Sequence, residues 1–272
     1  MATKYDVSLR YGVDPQQSLS GKVVAVVGGF GGIAMATNEM VLQKGGELAL
    51  VYPPFEQEKM QTALEQLNAQ PGGEFFDRVA CFCCDVTIPQ NVEETFEQIL
   101  KRFTSIDALV NSAGYVHLEP AIEVSYEQWQ KQVAVNLTAP FLVCSAFAKW
   151  LIESKRAGKI VNIASQAASI AIEGHVAYTS AKAGLLGMTK VMALEWAPHG
   201  INVNTISPTV VLTPMGEKAW QGEKGEEMKA KIPMGRFAYT DEIAAAVIFL
   251  ITNGSDMING ADIMIDGGYT IY

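Results

Sequence analysis

The chain has 272 residues, 49% of them hydrophobic and 18% charged, with a formal net charge of −9. That length and apolar content allow one large α/β domain with a substantial core. The acidic balance excludes a basic nucleic-acid-binding surface and a polybasic membrane patch. The first twenty residues carry Lys4, Asp6, Arg10 and Asp14 without an apolar stretch, so no signal peptide is read there. The longest apolar runs read as too short to span a bilayer, and the expected setting is cytoplasmic, without a membrane partner.

Residues 1–18 read as an N-terminal extension. From Val23 onward strand-like runs alternate with helical patterns, which predicts a doubly wound parallel sheet with helices on both faces, a single Rossmann-type domain over residues 19–272. Strands are expected near Val23 to Gly28, Leu48 to Tyr52, Arg78 to Cys83, Ala108 to Asn111, Lys159 to Ser165, Asn202 to Ile206 and Asp262 to Ile265. Their near-continuous apolar character suits burial on both faces. The first strand runs into Gly28-Gly29-Phe30-Gly31-Gly32-Ile33-Ala34 and a helix reaching about Lys44. In that context glycines let the backbone approach a pyrophosphate, whose charge the helix N-terminus stabilises. Gly28, Phe30, Gly32 and Ile33 are the candidate contacts.

The second strand ends in Tyr52-Pro53-Pro54-Phe55, at the position where a carboxylate would bond an adenosine ribose and repel a 2′-phosphate. Neither an acid nor an arginine stands in those four residues. Cys81, Cys83 and Cys84 cluster on the third strand and Cys144 lies apart; they read as buried reduced thiols, with no disulfide framework and no metal-ligand spacing. Asp85 and Val86 follow that strand, where an adenine would lie. Asn111, Ala113 and Gly114 follow the fourth, at the carboxyl edge where such sheets bind ligands.

The fifth strand ends at Ser165, and the segment from His175 to Leu186 reads as a helix that sets Lys182 one turn beyond Tyr178. A cation ~4 Å away at an effective dielectric of ~20 contributes ~4 kcal/mol, which would lower a phenol pKa of ~10 by about three units. Tyr178 is then suited to acid-base catalysis. His117, Gln166 and His175 fall near the expected substrate pocket and can bond hydroxyls; for the histidines, a partly exposed loop position is the competing reading. Residues 213–239, punctuated by Gly216, Gly222, Gly225 and Gly235, read as a helical lid, or else as a surface insertion.

On these residues the chain resembles the short-chain dehydrogenase/reductase family from about Leu19 to Tyr272. Gly28, Gly32 and Ala34 match its glycine loop, with Val27 in place of the usual threonine and Ala34 in place of a third glycine. Asn111-Ser112-Ala113-Gly114 resembles the motif supporting the central strand, and Asn136, Ser165, Tyr178 and Lys182 match the catalytic tetrad. Pro208 and Thr213, with Val211 between them, resemble the segment that clasps the nicotinamide amide, and Asp266-Gly267-Gly268 resembles the closing turn. The resemblance implies hydride transfer between a nicotinamide coenzyme and a small-molecule alcohol or carbonyl. Tyr178 would be the acid-base, Lys182 would stabilise phenolate and contact the nicotinamide ribose, and Ser165 would orient the carbonyl. Asn136 would hold a relay water, or else serve as a helix-kink amide. Tyr52 resembles NADP-using polyol reductases, which gives a slight lean to NADP(H) over NAD(H).

Glu195-Trp196-Ala197, Pro233-Met234-Gly235-Arg236 and Asp266 to Thr270 resemble polyol dehydrogenases and ketose reductases. A 3-oxoacyl thioester reductase would share the tetrad but needs a basic pocket mouth, and Lys218, Lys224, Lys229 and Lys231 are balanced by neighbouring glutamates. A non-catalytic dinucleotide sensor or scaffold is the other alternative, against which the intact tetrad argues. The resemblance further implies a homotetramer or homodimer pairing the helices around Ala139 to Glu153 and Tyr178 to Trp196. Phe141, Val143, Phe147, Trp150 and Leu151 give the first of these more apolar surface than one sheet face needs, or else all belong to the core, a reading that fits them equally.

Overall fold

In the computed structural model, which describes residues 13–70 and 75–271, the apolar runs form seven strands. The elements in chain order are β1 (Val23–Val27), α1 (Gly32–Gln43), β2 (Glu47–Tyr52), α2 (Lys59–Asn68), β3 (Val79–Cys83), α3 (Pro89–Phe103), β4 (Ala108–Asn111), α4 (Tyr126–Val133) and α5 (Ala139–Glu153). There follow β5 (Gly158–Ile163), α6 (Val176–Trp196), β6 (Ile201–Pro208), α7 (Pro214–Ala219), α8 (Glu223–Ala230), α9 (Thr240–Ile251) and β7 (Asp262–Ile265). Of the expected N-terminal extension, residues 1–12 lie outside the described residues.

The sheet order is β3-β2-β1-β4-β5-β6-β7, with each neighbouring pair parallel. Alternation along each strand feeds two cores: Val24, Val26, Leu48 and Leu50 face one layer with Val41 of α1 and Val247 of α9. Val23, Ala25, Val27, Ala49 and Val51 face the other, with Phe96 of α3 and Phe147 of α5. This is why the strand sequences read as continuously apolar and not alternating. Strand order reverses between β1 and β4, and Val27 is level with both Val51 and Asn111 while Asn111 is level with Asn162. The carboxyl ends of four adjacent strands therefore form one edge, with a crevice where the connections diverge.

Two expectations change. A π-turn at Ala134–Thr138 joins α4 to α5, so that Tyr126–Glu153 runs as one 28-residue helix long and apolar enough by length and composition to cross a membrane. The sequence reading treated its apolar pieces separately. Val143, Phe147 and Leu151 are fully buried against the sheet, Trp150 stacks on Phe147 at 6.2 Å, and only Phe141 of the five marked residues is well exposed. Second, the four thiols are unpaired but not uniformly buried: Cys84 and Cys144 are buried, Cys81 is half-buried and Cys83 is exposed, because β3 is the edge strand. Residues 213–239, expected as a helical lid or a surface insertion, hold two short helices, α7 and α8, and Met228 of α8 packs with Ile232 and Phe237 against Val210, Leu212 and Tyr269.

Candidate active site

Gly28 leaves β1 at φ +74°, and a Cβ there would stand 2.7 Å from the backbone N and Cα of Ala113. Only glycine lets the β1 turn and the loop after β4 close on each other in this way. Gly28 and Gly29 donate to the Val51 carbonyl at 2.9 and 3.1 Å, and Asn38 donates to the Gly29 carbonyl at 2.8 Å, pinning the turn from both sides. α1 opens on Gly31 without a side-chain cap, whereas α4 is capped by Ser125. The first amides of α1, including those of Gly32 and Ile33, are thus turned to the crevice without a capping oxygen, as anion binding requires. A Cβ on Gly32 would stand 2.7 Å from Thr213 Cγ2, so the approach to this turn is open only to a backbone without a side chain. The chemistry fits a pyrophosphate.

Along the same edge, Ser165 follows β5 and α6 carries Tyr178 and Lys182. Lys182 is 3% exposed; its Nζ donates to the Ile163 carbonyl at 2.7 Å and lies 5.7 Å from the centre of the Tyr178 ring. Ser165 Oγ accepts from Ala167 N at 3.1 Å and hydrogen bonds with the Tyr178 phenol. Here the electrostatics depart from expectation. Desolvation pushes the Tyr178 phenol above its ordinary value, with the Ser165 bond pulling the other way, and burial pushes Lys182 down to about 8. Without ligand, the cost of enclosing charge outweighs the attraction that was expected to acidify the phenol. The site therefore holds Tyr178 as a proton donor.

Asn136 is fully buried in the π-turn, with Nδ2 donating to the carbonyls of Tyr115 at 2.6 Å and Gln132 at 2.9 Å, while Oδ1 accepts from Tyr115 N at 3.1 Å. Its side chain is spent on clamping the loop after β4. Asn111 is also turned inward: Nδ2 donates to Asn162 Oδ1 at 2.7 Å, and Asn162 in turn donates to Thr189 at 3.0 Å. This network ties β4 to β5 and α6. Asp85 Oδ1 accepts from the amide and hydroxyl of Thr87 at 3.0 and 2.6 Å, which fixes the turn that Val86 occupies. Tyr52, at the end of β2, stacks on Phe30 with centroids 4.9 Å apart.

Gln166 is 3% exposed, and its Oε1, like the hydroxyl of Thr209, is buried without a hydrogen-bond partner among the described residues. His117 Nε2 lies 3.0 Å from Glu119 Oε1. His175 donates from Nδ1 to the Glu173 carbonyl at 2.7 Å and meets the Tyr178 ring edge-on at 6.2 Å. Val211 pairs with Ala238, and Thr213 Oγ1 caps α7 at Gly216 N, 3.0 Å away. Pro208 ends β6, and Asp266 accepts from Gly268 and Thr270 to form the closing turn. Gln132, Ile163, Glu119 and Gln57, the last accepting from the Tyr52 hydroxyl at 2.6 Å, hold these groups and carried no motif; each acts through a contact that spacing does not display. Among the described residues, no group of three His, Cys, Asp or Glu is placed to hold a metal.

The anion cradle after β1 and the Ser165–Tyr178–Lys182 group after β5 open onto the same sheet edge, on the two sides of the order reversal. That geometry defines a dinucleotide-dependent oxidoreductase. The chain matches, over residues 28–270, the family described as enoyl-(acyl carrier protein) reductase. It is 47% identical over 261 residues to D-threitol dehydrogenase of Mycolicibacterium smegmatis, covering 95% of this chain and 96% of that one. It is 41% identical over 260 residues to NAD-dependent glycerol dehydrogenase of Listeria innocua, covering 96% and 98%. The crystal structure of gox2181 superposes with a TM-score of 0.87 at 29% identity, covering 94% and 98%. The chain belongs to the short-chain dehydrogenase/reductase family and is an NAD(P)(H)-dependent oxidoreductase acting on CH–OH and C=O groups.

Proposed function

We propose that the enzyme interconverts a small polyol and its ketose, with Ser165, Tyr178 and Lys182 as its catalytic residues. The observation that carries this reading is the half-buried Tyr178 phenol hydrogen-bonded to Ser165, with Lys182 Nζ 5.7 Å from the centre of its ring. In reduction Tyr178 gives its phenolic proton to the substrate oxygen, Ser165 donates a hydrogen bond to that oxygen, and Lys182 stabilises the phenolate left behind. The bound nicotinamide coenzyme supplies the hydride in this direction and accepts it in the other. Asn136 acts as a positioning residue through its clamp on Tyr115.

A polyol is supported by the unpartnered Oε1 of Gln166 beside Ser165, an acceptor for a substrate hydroxyl, and by the names of the two relatives, which act on D-threitol and glycerol. We assign His117 and His175 to the pocket rim, the second through its contact with Tyr178. For the coenzyme, the lean to NADP(H) gives way in our reading to NAD(H). Glu56 and Glu58 follow Tyr52, and Lys59, the cation beside them, is tied to Glu56 at 2.5 Å. We further propose that residues 213–239 close over substrate, for which slowed hydrogen exchange in that segment on adding coenzyme and polyol is the check. We also propose that the enzyme pairs through α5 and α6 into a homodimer or homotetramer, supported by the exposure of Phe141, Val191 and Leu194. A monomer in sedimentation at micromolar concentration would contradict it. Its four unpaired thiols suit a cytoplasmic setting, which cell fractionation checks.

The decisive measurement is absorbance at 340 nm with NADH and NADPH, across ketoses with three to six carbons and acyl thioester ketones. Turnover of a ketose, lost in Tyr178→Phe with coenzyme binding intact, is the expected result. Activity confined to acyl thioesters, or binding without turnover throughout, would overturn the polyol reading.

A further inference from the structure

A cavity of about 440 Å³ opens between α7, α8 and the segment leading into α9, and none of Ser165, Gln166, Tyr178 or Lys182 lines it. That volume falls within the range of small-molecule sites, roughly 300–1,000 Å³. Its apolar wall is Leu212 with the rings of Trp220, Phe237 and Tyr239, and Trp220 and Phe237 stand 6.1 Å apart at an angle of 57°. Phe237 is buried and fixes the base, whereas Tyr239, Glu217 and Gln221 are exposed at the mouth.

The charges around the cavity decide what it can take. Lys229 lies 2.7 Å from Glu226, and the Arg236 guanidinium donates to both carboxylate oxygens of Glu242 at 2.8 and 2.6 Å. Both cations among the described lining residues are thus already paired, which leaves none for an anion. A cationic ligand is opposed as well, because each ring already carries a cation: Lys224 at 4.7 Å over Trp220, Lys229 at 5.4 Å over Phe237 and Arg236 at 5.1 Å over Tyr239. A further positive charge would be repelled at the faces that would otherwise attract it. The lining groups left without a side-chain partner among the described residues include the Glu217 carboxylate and the Gln221 amide. Together they offer acceptors and an amide donor pair, beside rings that pack against C–H groups. A neutral molecule with one apolar face and neighbouring hydroxyls on its edge meets these demands, and a pyranose ring has that form.

We propose that this cavity is a second binding site, for the ring of a neutral sugar, separate from the site of hydride transfer. Trp220 and Phe237 pack against the C–H face, Glu217 accepts from adjacent hydroxyls, and Gln221 both donates and accepts. A sugar held there joins α7, through Glu217 and the adjoining Trp220, to Phe237 and to Arg236, which is anchored on Glu242 of α9. Occupancy therefore ties together the two ends of residues 213–239. Sugar binding there does not depend on whether that segment closes over substrate or on what Tyr178 reduces.

The test is saturation-transfer-difference NMR with methyl α-D-glucopyranoside, which has no free carbonyl to reduce, on the parent enzyme and on Trp220→Leu, Trp220→Phe and Glu217→Ala. The parent is expected to give difference signals from the ring C–H protons, and to keep them with coenzyme and the polyol or ketone that it turns over both at saturation. Trp220→Leu should weaken the apparent affinity at least about tenfold, and Trp220→Phe should restore most of it because a ring remains. Glu217→Ala, a change at an exposed position that leaves the rings in place, should weaken it severalfold. Absence of a difference signal in the parent would overturn the site. So would its loss on adding coenzyme and substrate, which would put the sugar in the catalytic pocket, or an affinity unmoved by both Trp220→Leu and Glu217→Ala. Choline or benzoate giving the stronger Trp220-dependent signal would overturn the neutral class of ligand.

Discussion

Replacing Lys182 by methionine separates what the ammonium does for catalysis from what it costs the fold. In the coenzyme-free protein burial holds Lys182 at about 8, against an ordinary lysine value of 10.5. At ~1.4 kcal/mol per pH unit the enclosed charge costs about 3 kcal/mol. The sign follows from proton counting. Between the two pKa values the unfolded chain binds a proton that the folded chain has released, so stability gained from this group rises with pH from about 8 toward 10.5. Below 8 both states are charged and the full cost is present. Lys182→Met removes the cost but leaves the Ile163 carbonyl, now held at 2.7 Å by Nζ, without its donor, a loss of ~1–3 kcal/mol. The two nearly cancel near pH 7, where the variant should match or slightly exceed the parent in stability while losing turnover. Between pH 7 and 9.5 the parent should gain about 2 kcal/mol on the variant, roughly 4 °C in midpoint for a chain of this size. Thermal unfolding of both proteins without coenzyme, at equal protomer concentration and several pH values, reads the difference directly. Parallel curves for the two proteins across that range would refute the reasoning, because they would mean that Lys182 keeps its charge in the folded site.

Three further outcomes are expected. Gly28→Ala places a Cβ 2.7 Å from the Ala113 backbone at a positive φ, so coenzyme affinity should fall at least about tenfold with the circular dichroism spectrum retained; unchanged titration with coenzyme would contradict the cradle. Asn162→Ala strips buried Asn111 and Thr189 of their shared partner and should lower stability by about 2–4 kcal/mol in urea unfolding, whereas a loss under ~0.5 kcal/mol would mean the network is dispensable. Glu242 is held down to about 2, first by its hydrogen bonds from the Arg236 guanidinium and then by the Tyr239 amide. Because both partners are substantially exposed, Glu242→Gln should cost under ~1 kcal/mol near neutral pH. That stabilisation is complete above about 4.5 and is lost as pH falls toward 2, so the gap between parent and variant should close in that direction. A gap that widens on acidification would refute the assignment.

Periodicity determined a great deal by itself. Continuous apolar runs such as Val23 to Val27 and Leu48 to Tyr52 can be buried on both faces only in a covered parallel sheet, and all seven strands form within a few residues of where the strand-like runs lie. The glycine turn and the Tyr178–Lys182 spacing were equally legible, because a tight turn and a helix face depend on residues close in sequence. Only the tertiary structure decided how these groups are charged and what holds them. The spacing of Tyr178 and Lys182 gives a Coulomb attraction; burial, which depends on strands and helices far away in sequence, reverses the expected shift of the phenol. Asn136 and Asn111, legible as polar residues near the site, turn out to be committed to Tyr115 and to Asn162. The junction of α4 and α5 into one helix runs through a π-turn at Asn136, where the sequence offered a helix-kink amide without showing that the two helices are continuous. The stack of Phe30 on Tyr52 joins residues 22 apart through the β1–β2 register, a contact that exists only once the sheet has formed.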